Sequence, residues 1–543
     1  MAGGLAGRTG PLTLLTPLTA SPPAPAPHEN AMTPHDPNPH APHPDDAAVF
    51  ATREADWRCG ALIYQVLVDR FAPPADLAAK AHLYPAPKRL RAWHDTPQRG
   101  EYVEAARLWS HEIEFWGGDL ASAATRLDHV QQLGADVVYL NPIHLAYTNH
   151  KYDALDYLQV SPEFGTRDDL REFADAVHAR GMKLVLDGVF NHMGRNAPIF
   201  QAAQADAASP WRSWFDFGAQ HPGGARTWWL SQNLPELNLE NPAVRDHLYN
   251  APDSAVRSYL RDGADGWRLD VAVDIGLRYL GELTAAAHDE KPGALVVGEI
   301  ASYPAEWFGS VDAVMNFTLR DIILRACSGR LEAATAMRMA HRMVDDAGIE
   351  PMLKSWTFLD NHDTPRLASA LPEPRARRLA QVLQFCLPGA PNLYYGSELG
   401  MAGGDDPEMR APMRWDLVTD DNPDLAWTRA LIALRRSQRA LRVGNLRAVT
   451  SHRLLAFERH TDRVEDTVIV ITNPGDTALT ETVMTGNSRL RNSFLMLDLL
   501  GTAAEPVHIH CGLLTVTVPA HGFLVLQPEV RPAGGYSSYK RVP

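Results

Sequence analysis

The sequence predicts a (β/α)8 barrel with an inserted subdomain after its third strand, followed by a small antiparallel β domain. Three observations predict it: eight short runs of β-branched and aromatic residues, helical Ala/Arg/Asp-rich segments between them, and period-2 alternation without helices near the end. The runs are Ala61–Asp69, Asp136–Pro142, Met182–Asn191, Gly263–Asp270, Ala294–Ile300, Val311–Phe317, Leu353–Asp363 and Ala390–Glu398, with helices such as Leu120–Leu133 and Arg167–Arg180 between them. Eight strands alternating with helices close a barrel more readily than they build an open sheet. The stretch 192–250, rich in Trp, Asn, Pro and Gly, is too long for an ordinary βα loop and reads as the inserted subdomain. After a helix near Asp424–Ala440 the period becomes 2, as in Asp466–Thr472 and Leu513–Val518. The barrel is therefore assigned to 57–443 and a C-terminal β-sandwich to 444–530.

The two ends differ in texture. Residues 1–56 are dominated by Pro, Ala, His and small polar residues, which bury too little apolar surface to offset chain entropy, so a disordered tail is expected. His28, His35, His40 and His43 fall in that tail and read as part of it rather than as a metal cluster; Met32 is an alternative start. The Gly/Ser/Pro-rich segment 531–543 is expected to fray.

Composition narrows the function. A net charge of −14, from 51 Lys+Arg against 65 Asp+Glu and with no basic run, repels phosphate backbones and anionic lipid, excluding a nucleic-acid role and favouring a neutral substrate. No apolar run approaches the roughly 18 residues needed to span a bilayer, and Leu12–Leu18 is short and Pro-interrupted, so neither a membrane anchor nor a signal peptide is expected. Cys59, Cys327, Cys386 and Cys511 are too far apart for a Cys-x-x-Cys pair and suggest a reducing, cytoplasmic compartment.

Catalytic groups of a (β/α)8 barrel sit at the carboxyl ends of its strands. Here the third run ends in Asp-Gly-Val-Phe-Asn-His (187–192), the fourth in Gly-Trp-Arg-Leu-Asp (266–270), the fifth in Gly-Glu-Ile (298–300) and the seventh in Phe-Leu-Asp-Asn-His-Asp (358–363). Any one of these reads equally well as a turn or a helix N-cap. All four at one barrel mouth point to chemistry. Asp270 and Glu299, on neighbouring strands, can flank a sugar, one attacking and one protonating as glycosidic cleavage requires. Arg268, two residues before Asp270 and on the same strand face, is expected to hold the Asp270 pKa down, whereas Glu299 has no cation beside it in sequence and is expected to keep a proton.

These four segments, in this order, resemble the conserved regions of the α-amylase family of glycoside hydrolases over most of Trp57–Trp415. The resemblance implies Asp270 as nucleophile, Glu299 as general acid/base and Asp363 as the third carboxylate holding the reacting sugar. It implies that His192, Arg268 and His362 hydrogen-bond that sugar, that Tyr152 of Asn-His-Lys-Tyr-Asp (149–153) stacks beneath it, and that Asp406 and Arg410 of Gly-Gly-Asp-Asp-Pro-Glu-Met-Arg (403–410) hold the next one. Cleavage of α-glucosidic bonds with retention follows, with carboxyls roughly 5 to 5.5 Å apart. The Asn-His-Lys-Tyr-Asp and Gly-Gly-Asp-Asp-Pro stretches are most similar to the neopullulanase, cyclomaltodextrinase, maltogenic amylase and maltodextrin glucosidase group, which acts on short or cyclic maltodextrins.

The chain also departs from that group. No β-rich N-terminal domain precedes the barrel, and Ala301 and Val273 stand where an aromatic residue and an Asn are usual. Leu-Pro-Glu-Leu-Asn (234–238) differs from the usual motif of the inserted subdomain. Many family members bind calcium through an Asn matching Asn191 and a His whose place Asp274 takes, and the loop Arg70–Lys80 lacks an acidic run, so no metal and no cofactor are expected. Trp211, Trp214, Phe215, Trp228 and Trp229 of the inserted subdomain read either as sugar platforms or as its core. The expected substrate is an α-glucan oligosaccharide. The alternatives are a glucanotransferase, a hydrolase of sucrose or trehalose, and a non-catalytic carbohydrate-binding protein, the last disfavoured because all three carboxylates are present.

Overall fold

The computed structural model describes residues 46–530, apart from 105 and 230, together with the backbone of 532–533 and 536–537. Eight parallel strands close a barrel: β1 (Ile63–Val66), β2 (Val137–Leu140), β3 (Lys183–Gly188), β4 (Gly266–Leu269), β5 (Leu295–Ile300), β6 (Ala313–Asn316), β7 (Trp356–Thr357) and β8 (Ala390–Tyr394). Each pairs with its sequence neighbours, and Ile63 meets both Val137 of β2 and Asn392 of β8, which seals the ring. The strands are shorter than the apolar runs: Asn191, His192, Asp270 and Asp360 to Asp363 lie past the ladder, whereas Asp187, Arg268 and Glu299 remain within it. Gly266 lets β4 and β5 come together, since a Cβ there would lie 2.2 Å from the Leu295 carbonyl oxygen.

Side-chain alternation builds the site. Inward residues low in the barrel, among them Ile63, Val137, Tyr139, Val185, Leu295, Val297, Met315 and Trp356, pack into one buried cluster. One pleat higher the inward positions become Gln65, Asn141, Asp187, Arg268 and Glu299, so an apolar plug supports a polar mouth. Outward residues such as Leu184, Leu186, Trp267 and Leu269 pack under the helices. The helix Arg167–His178 buries Leu170, Phe173, Ala174 and Val177 at helical spacing and starts from a Thr166–Asp169 capping box. The predicted helix Leu120–Leu133 is two, Leu120–Ala124 and Leu127–Leu133; the predicted Asp424–Ala440 is Pro423–Ser437 and Arg439–Val443.

Two domain readings change. Up to residue 45 the expected tail lies outside the described residues, but Asp46–Ala55 is a helix (α1) rather than tail. It is held by tertiary contacts that composition does not reveal: Phe50 is buried, and buried Arg53 pairs with Glu350 at 2.6 Å and donates to the Val443 carbonyl and Asn445 Oδ1, both at 2.8 Å. Beyond the barrel, eight antiparallel strands run β9 (Asn445–Thr450), β10 (Leu455–His460), β11 (Val468–Asn473), β12 (Leu479–Thr485), β13 (Leu495–Asp498), β14 (Val507–His510), β15 (Leu513–Val518) and β16 (Gly522–Pro528). They close in the order β9-β10-β11-β16-β13-β14-β15-β12, a ring rather than an open sandwich. The closure comes from β9, whose first part pairs with β10 and whose end, Val449 and Thr450, pairs with Thr485 and Met484 of β12. At the carboxyl terminus Pro532–Ala533 and Tyr536–Ser537 pair as a short ladder.

Candidate active site

At the barrel mouth one guanidinium organises three carboxylates. Strand register sets Arg268 opposite Asp187, and Arg268 Nη1 donates to Asp187 Oδ1 at 2.9 Å and to Asp270 Oδ1 at 3.1 Å. Its Nη2 sits 2.6 Å from Glu299 Oε1 as an ion pair, off the direction of its N–H bonds. Asp187 is buried and also accepts hydrogen bonds from Tyr139 (2.6 Å) and Tyr152 (2.9 Å). The other Glu299 oxygen accepts from the Val271 N–H at 2.9 Å. Val271 has φ 39°, a left-handed conformation that costs a β-branched residue energy and directs this N–H at Glu299 immediately after Asp270.

This arrangement corrects the expectations that Arg268 holds the Asp270 pKa down and that Glu299 lacks a cation. The cation is shared, and burial together with the Glu299 charge pushes the Asp270 carboxyl well above its usual range despite Arg268.

The other wall is built around Asp363. Its Oδ2 is 2.9 Å from His362 Nε2 and its Oδ1 accepts from Arg410 Nη2 at 2.9 Å. Against desolvation in the cleft, which pushes it up, His362 and Arg410 hold this carboxyl well below the usual carboxylate range. The Gln65 and Asn141 amides lie 3.0 and 3.2 Å from His362 Nδ1, which as their acceptor leaves the ring proton on Nε2, facing Asp363 and the Tyr152 hydroxyl. The Tyr152 and His362 rings stack at 5.3 Å and 2°. Arg410 also pairs with Asp406 at 3.3 Å, and the other Asp406 oxygen meets His111 Nε2 at 3.1 Å. His111 Nδ1 accepts from the Gly100 N–H, so Nε2 is the donor. Burial opposes it, but His111 and Arg410 bring Asp406 down to about 2.

His192 forms the side next to the inserted subdomain. Its Nε2 is 3.2 Å from the Tyr152 carbonyl and 4.0 Å from Asp270 Oδ2, and burial lowers its pKa to about 4, leaving it neutral at ordinary pH. The Trp228 ring stacks on it at 5.7 Å and 26° and donates Nε1–H to Asp274 at 3.0 Å. The aromatic cluster thus divides. Trp214 and Phe215 are buried core with Trp211 edge-on against Trp214, Trp228 touches the site, and Trp229 is 85% exposed. Asn191 and Asp274 line a cavity of about 580 Å³ with Glu236 and Asn238, but Trp228 engages Asp274 and Arg226 pairs with Glu236. Among the described residues no group of three or more His, Cys, Asp or Glu side chains converges to hold a metal ion.

All nine residues singled out by sequence therefore meet around one cleft: Asp270, Glu299, Asp363, Tyr152, His192, Arg268, His362, Asp406 and Arg410. Sequence reasoning missed Asp187, Gln65, Asn141, Tyr139 and His111. The first four are the inward residues of their strands at or just below the mouth, so strand alternation pointed to them. His111 lies in a long loop and carried no local signal.

The model described as "Alpha amylase, catalytic domain" matches residues 65–423. A cyclomaltodextrinase of a Bacillus species is 34% identical over 375 residues, 66% of this chain and 66% of that protein's length. Neopullulanase 2 of Thermoactinomyces vulgaris is 31% identical over 502 residues, 88% of this chain and 79% of that protein. Among solved structures, the ligand-free cyclic alpha-maltosyl-(1→6)-maltose hydrolase of Arthrobacter globiformis superposes with a TM-score of 0.72 at 30% identity, covering 87% of this chain and 99% of that one. A family match running through the barrel whose mouth gathers these carboxyls shows that the chain belongs to the α-amylase family of glycoside hydrolases.

Proposed function

We propose that the protein is a retaining hydrolase of short or cyclic α-glucans, cleaving α-1,4 and related α-1,6 bonds of malto-oligosaccharides and cyclodextrins. The observation that carries this reading is the Arg268 guanidinium shared by Asp270 and Glu299, which keeps a nucleophile and an acid together on neighbouring strands. An Asp270 oxygen attacks the anomeric carbon while Glu299 gives its proton to the leaving glucosidic oxygen, forming a glucosyl ester. Glu299 then takes a proton from water as that water attacks the anomeric carbon from the face the leaving group vacated, opposite the ester, releasing Asp270 and restoring the α configuration. The productive form has Asp270 ionised as nucleophile and the proton on Glu299. Asp363, its own proton held off by His362 and Arg410, binds sugar hydroxyls as an anion; Tyr152 lies under the ring, and Asp406 with Arg410 holds the next sugar.

The names of the relatives support the substrate class. The steps use side chains and water alone, so we propose catalysis without a cofactor or metal. The four cysteines are free, and no helix of the described residues is long and apolar enough to cross a membrane, which supports a cytoplasmic setting. Transfer to a second sugar is the alternative outcome, for which Val273 and Leu277, exposed just after the fourth strand and Asp270, offer apolar surface.

Product profiles on maltotriose, β-cyclodextrin, pullulan and soluble starch, with the anomer followed by NMR, test this reading. We expect α products, preference for the small and cyclic substrates, and loss of at least about 10⁴-fold in rate for Asp270→Asn and Glu299→Gln. Full activity of either variant, or β products, would overturn it.

A further inference from the structure

Outside the catalytic cleft the most unusual surface is an arginine-lined groove of about 990 Å³ that begins at Ala301, two residues past Glu299. It runs between helices Phe317–Cys327 and Ala333–Ala347, the segments that follow β6. Arg320, Arg325, Arg330, Arg338 and Arg342 line it against a single carboxylate, Asp321, in a chain whose net charge is −14.

Two of these arginines are neutralised, Arg325 by Asp321 at 2.6 Å and Arg342 by Asp346 at 2.7 Å. The other three have no carboxylate within ion-pair distance among the described residues. Arg320 Nε donates to the Leu359 carbonyl, Arg330 Nε to Ser328 Oγ and Arg338 Nη2 to Thr335 Oγ1, so each is oriented by a neutral acceptor; Asp321 and Asp360 act on Arg320 only through space, beyond ion-pair distance. Apolar surface lies beside them: Tyr303 and Met339 are 45% and 46% exposed, and the Tyr303 ring is pinned by its hydroxyl donating to Asp346 at 2.8 Å.

Three unpaired guanidiniums are donors suited to a phosphate, and a fixed aromatic face beside them suits the apolar face of a pyranose. We propose that this groove binds a sugar phosphomonoester, with the phosphate on Arg320, Arg330 and Arg338 and the sugar against Tyr303. The phosphate reaches it either on a phosphorylated maltodextrin whose other end lies in the catalytic cleft or on a free sugar phosphate. Binding is independent of turnover, so this inference fails separately from the hydrolase reading.

The test is titration calorimetry with glucose 6-phosphate, glucose, inorganic phosphate and a maltodextrin bearing a 6-phosphate, on the intact protein and on Arg330→Gln/Arg338→Gln, with thermal unfolding to verify folding. We expect the phosphate esters to bind, to bind more tightly than glucose or inorganic phosphate, and to weaken at least about tenfold in the double variant, while β-cyclodextrin hydrolysis is unchanged. Arg330→Lys/Arg338→Lys keeps the charge and should retain most of the affinity. Binding of glucose 6-phosphate identifies the free ester as a ligand; binding of the phosphorylated maltodextrin alone identifies the substrate. Absence of binding by both esters, equal binding by wild type and the Gln variant, or no preference over inorganic phosphate would each overturn the proposal.

Discussion

The two sides of the barrel mouth are built on opposite plans. On the Asp363 side every charged group is matched: Asp363 lies between His362 and Arg410, Asp406 between Arg410 and His111, and His362 is oriented by Gln65 and Asn141. On the other side Ala301, Ser302 and Tyr303 are exposed, and three cations nearby have no carboxylate within ion-pair distance among the described residues. The difference shows where ordering is completed during folding and where it is left to a ligand. A pre-paired wall loses little entropy on binding and recognises one sugar in one pose, whereas an open, charged wall gains its order from whatever it binds.

That contrast can be broken most forcefully at Arg268. Arg268→Met leaves buried Asp187 and Asp270 and partly buried Glu299 beside one another without a cation, and chemical denaturation should show a loss of about 3 to 5 kcal/mol with activity abolished. The matching exposed change, Arg338→Gln, should stay within about 0.5 kcal/mol of wild type. Asp363→Asn should lower kcat/KM on maltotriose by about 10²- to 10³-fold and also lower the unfolding temperature, because it removes an anion already paired with His362 and Arg410.

A pH series sharpens the comparison further. His192 is neutral in the fold with a pKa of about 4 against 6.5 for the free group, so its contribution to stability is complete above pH 6.5 and is lost as pH falls toward 4. Wild type should lose about 3 kcal/mol relative to His192→Asn across that window, measured by urea unfolding. His111→Ala removes one hydrogen bond to Asp406 and should raise KM roughly tenfold with kcat nearly unchanged. Ala301→Trp, which adds a platform to the open side, should shift the ratio of transfer to hydrolysis only about two- to fivefold, read from products of maltotriose.

Much of this was legible in the chain itself. Runs that end in Asp, Arg, Glu or His at the carboxyl end of a strand give both the barrel and the residues at its mouth, because period-2 alternation fixes which side chains face inward. What alternation cannot give is pairing across long separations. His111 meets Asp406 only through a loop whose path depends on the whole barrel, and the sharing of Arg268 with Glu299 depends on the register between β4 and β5. The Asp46–Ala55 helix has the Ala-rich composition of the tail before it, and only its contacts with Glu350 and Val443 distinguish it. Ring closure of the β domain likewise rests on β9 leaving one partner for another, a change with no signature in its six residues.

That first helix has a consequence for the order in which the molecule is made. Arg53 leaves the ribosome early, yet its partners Glu350, Val443 and Asn445 lie 297, 390 and 392 positions further along. Ile63 likewise waits for Asn392 before the barrel can close. Until then the nascent chain carries a buried-type arginine and an unpaired strand edge exposed to solvent, so the amino-terminal half cannot finish folding during its own synthesis. Barrel closure waits for residue 392 and anchoring of the opening helix for residues 443 and 445, so a chain released before residue 445 would emerge with its opening helix incompletely anchored.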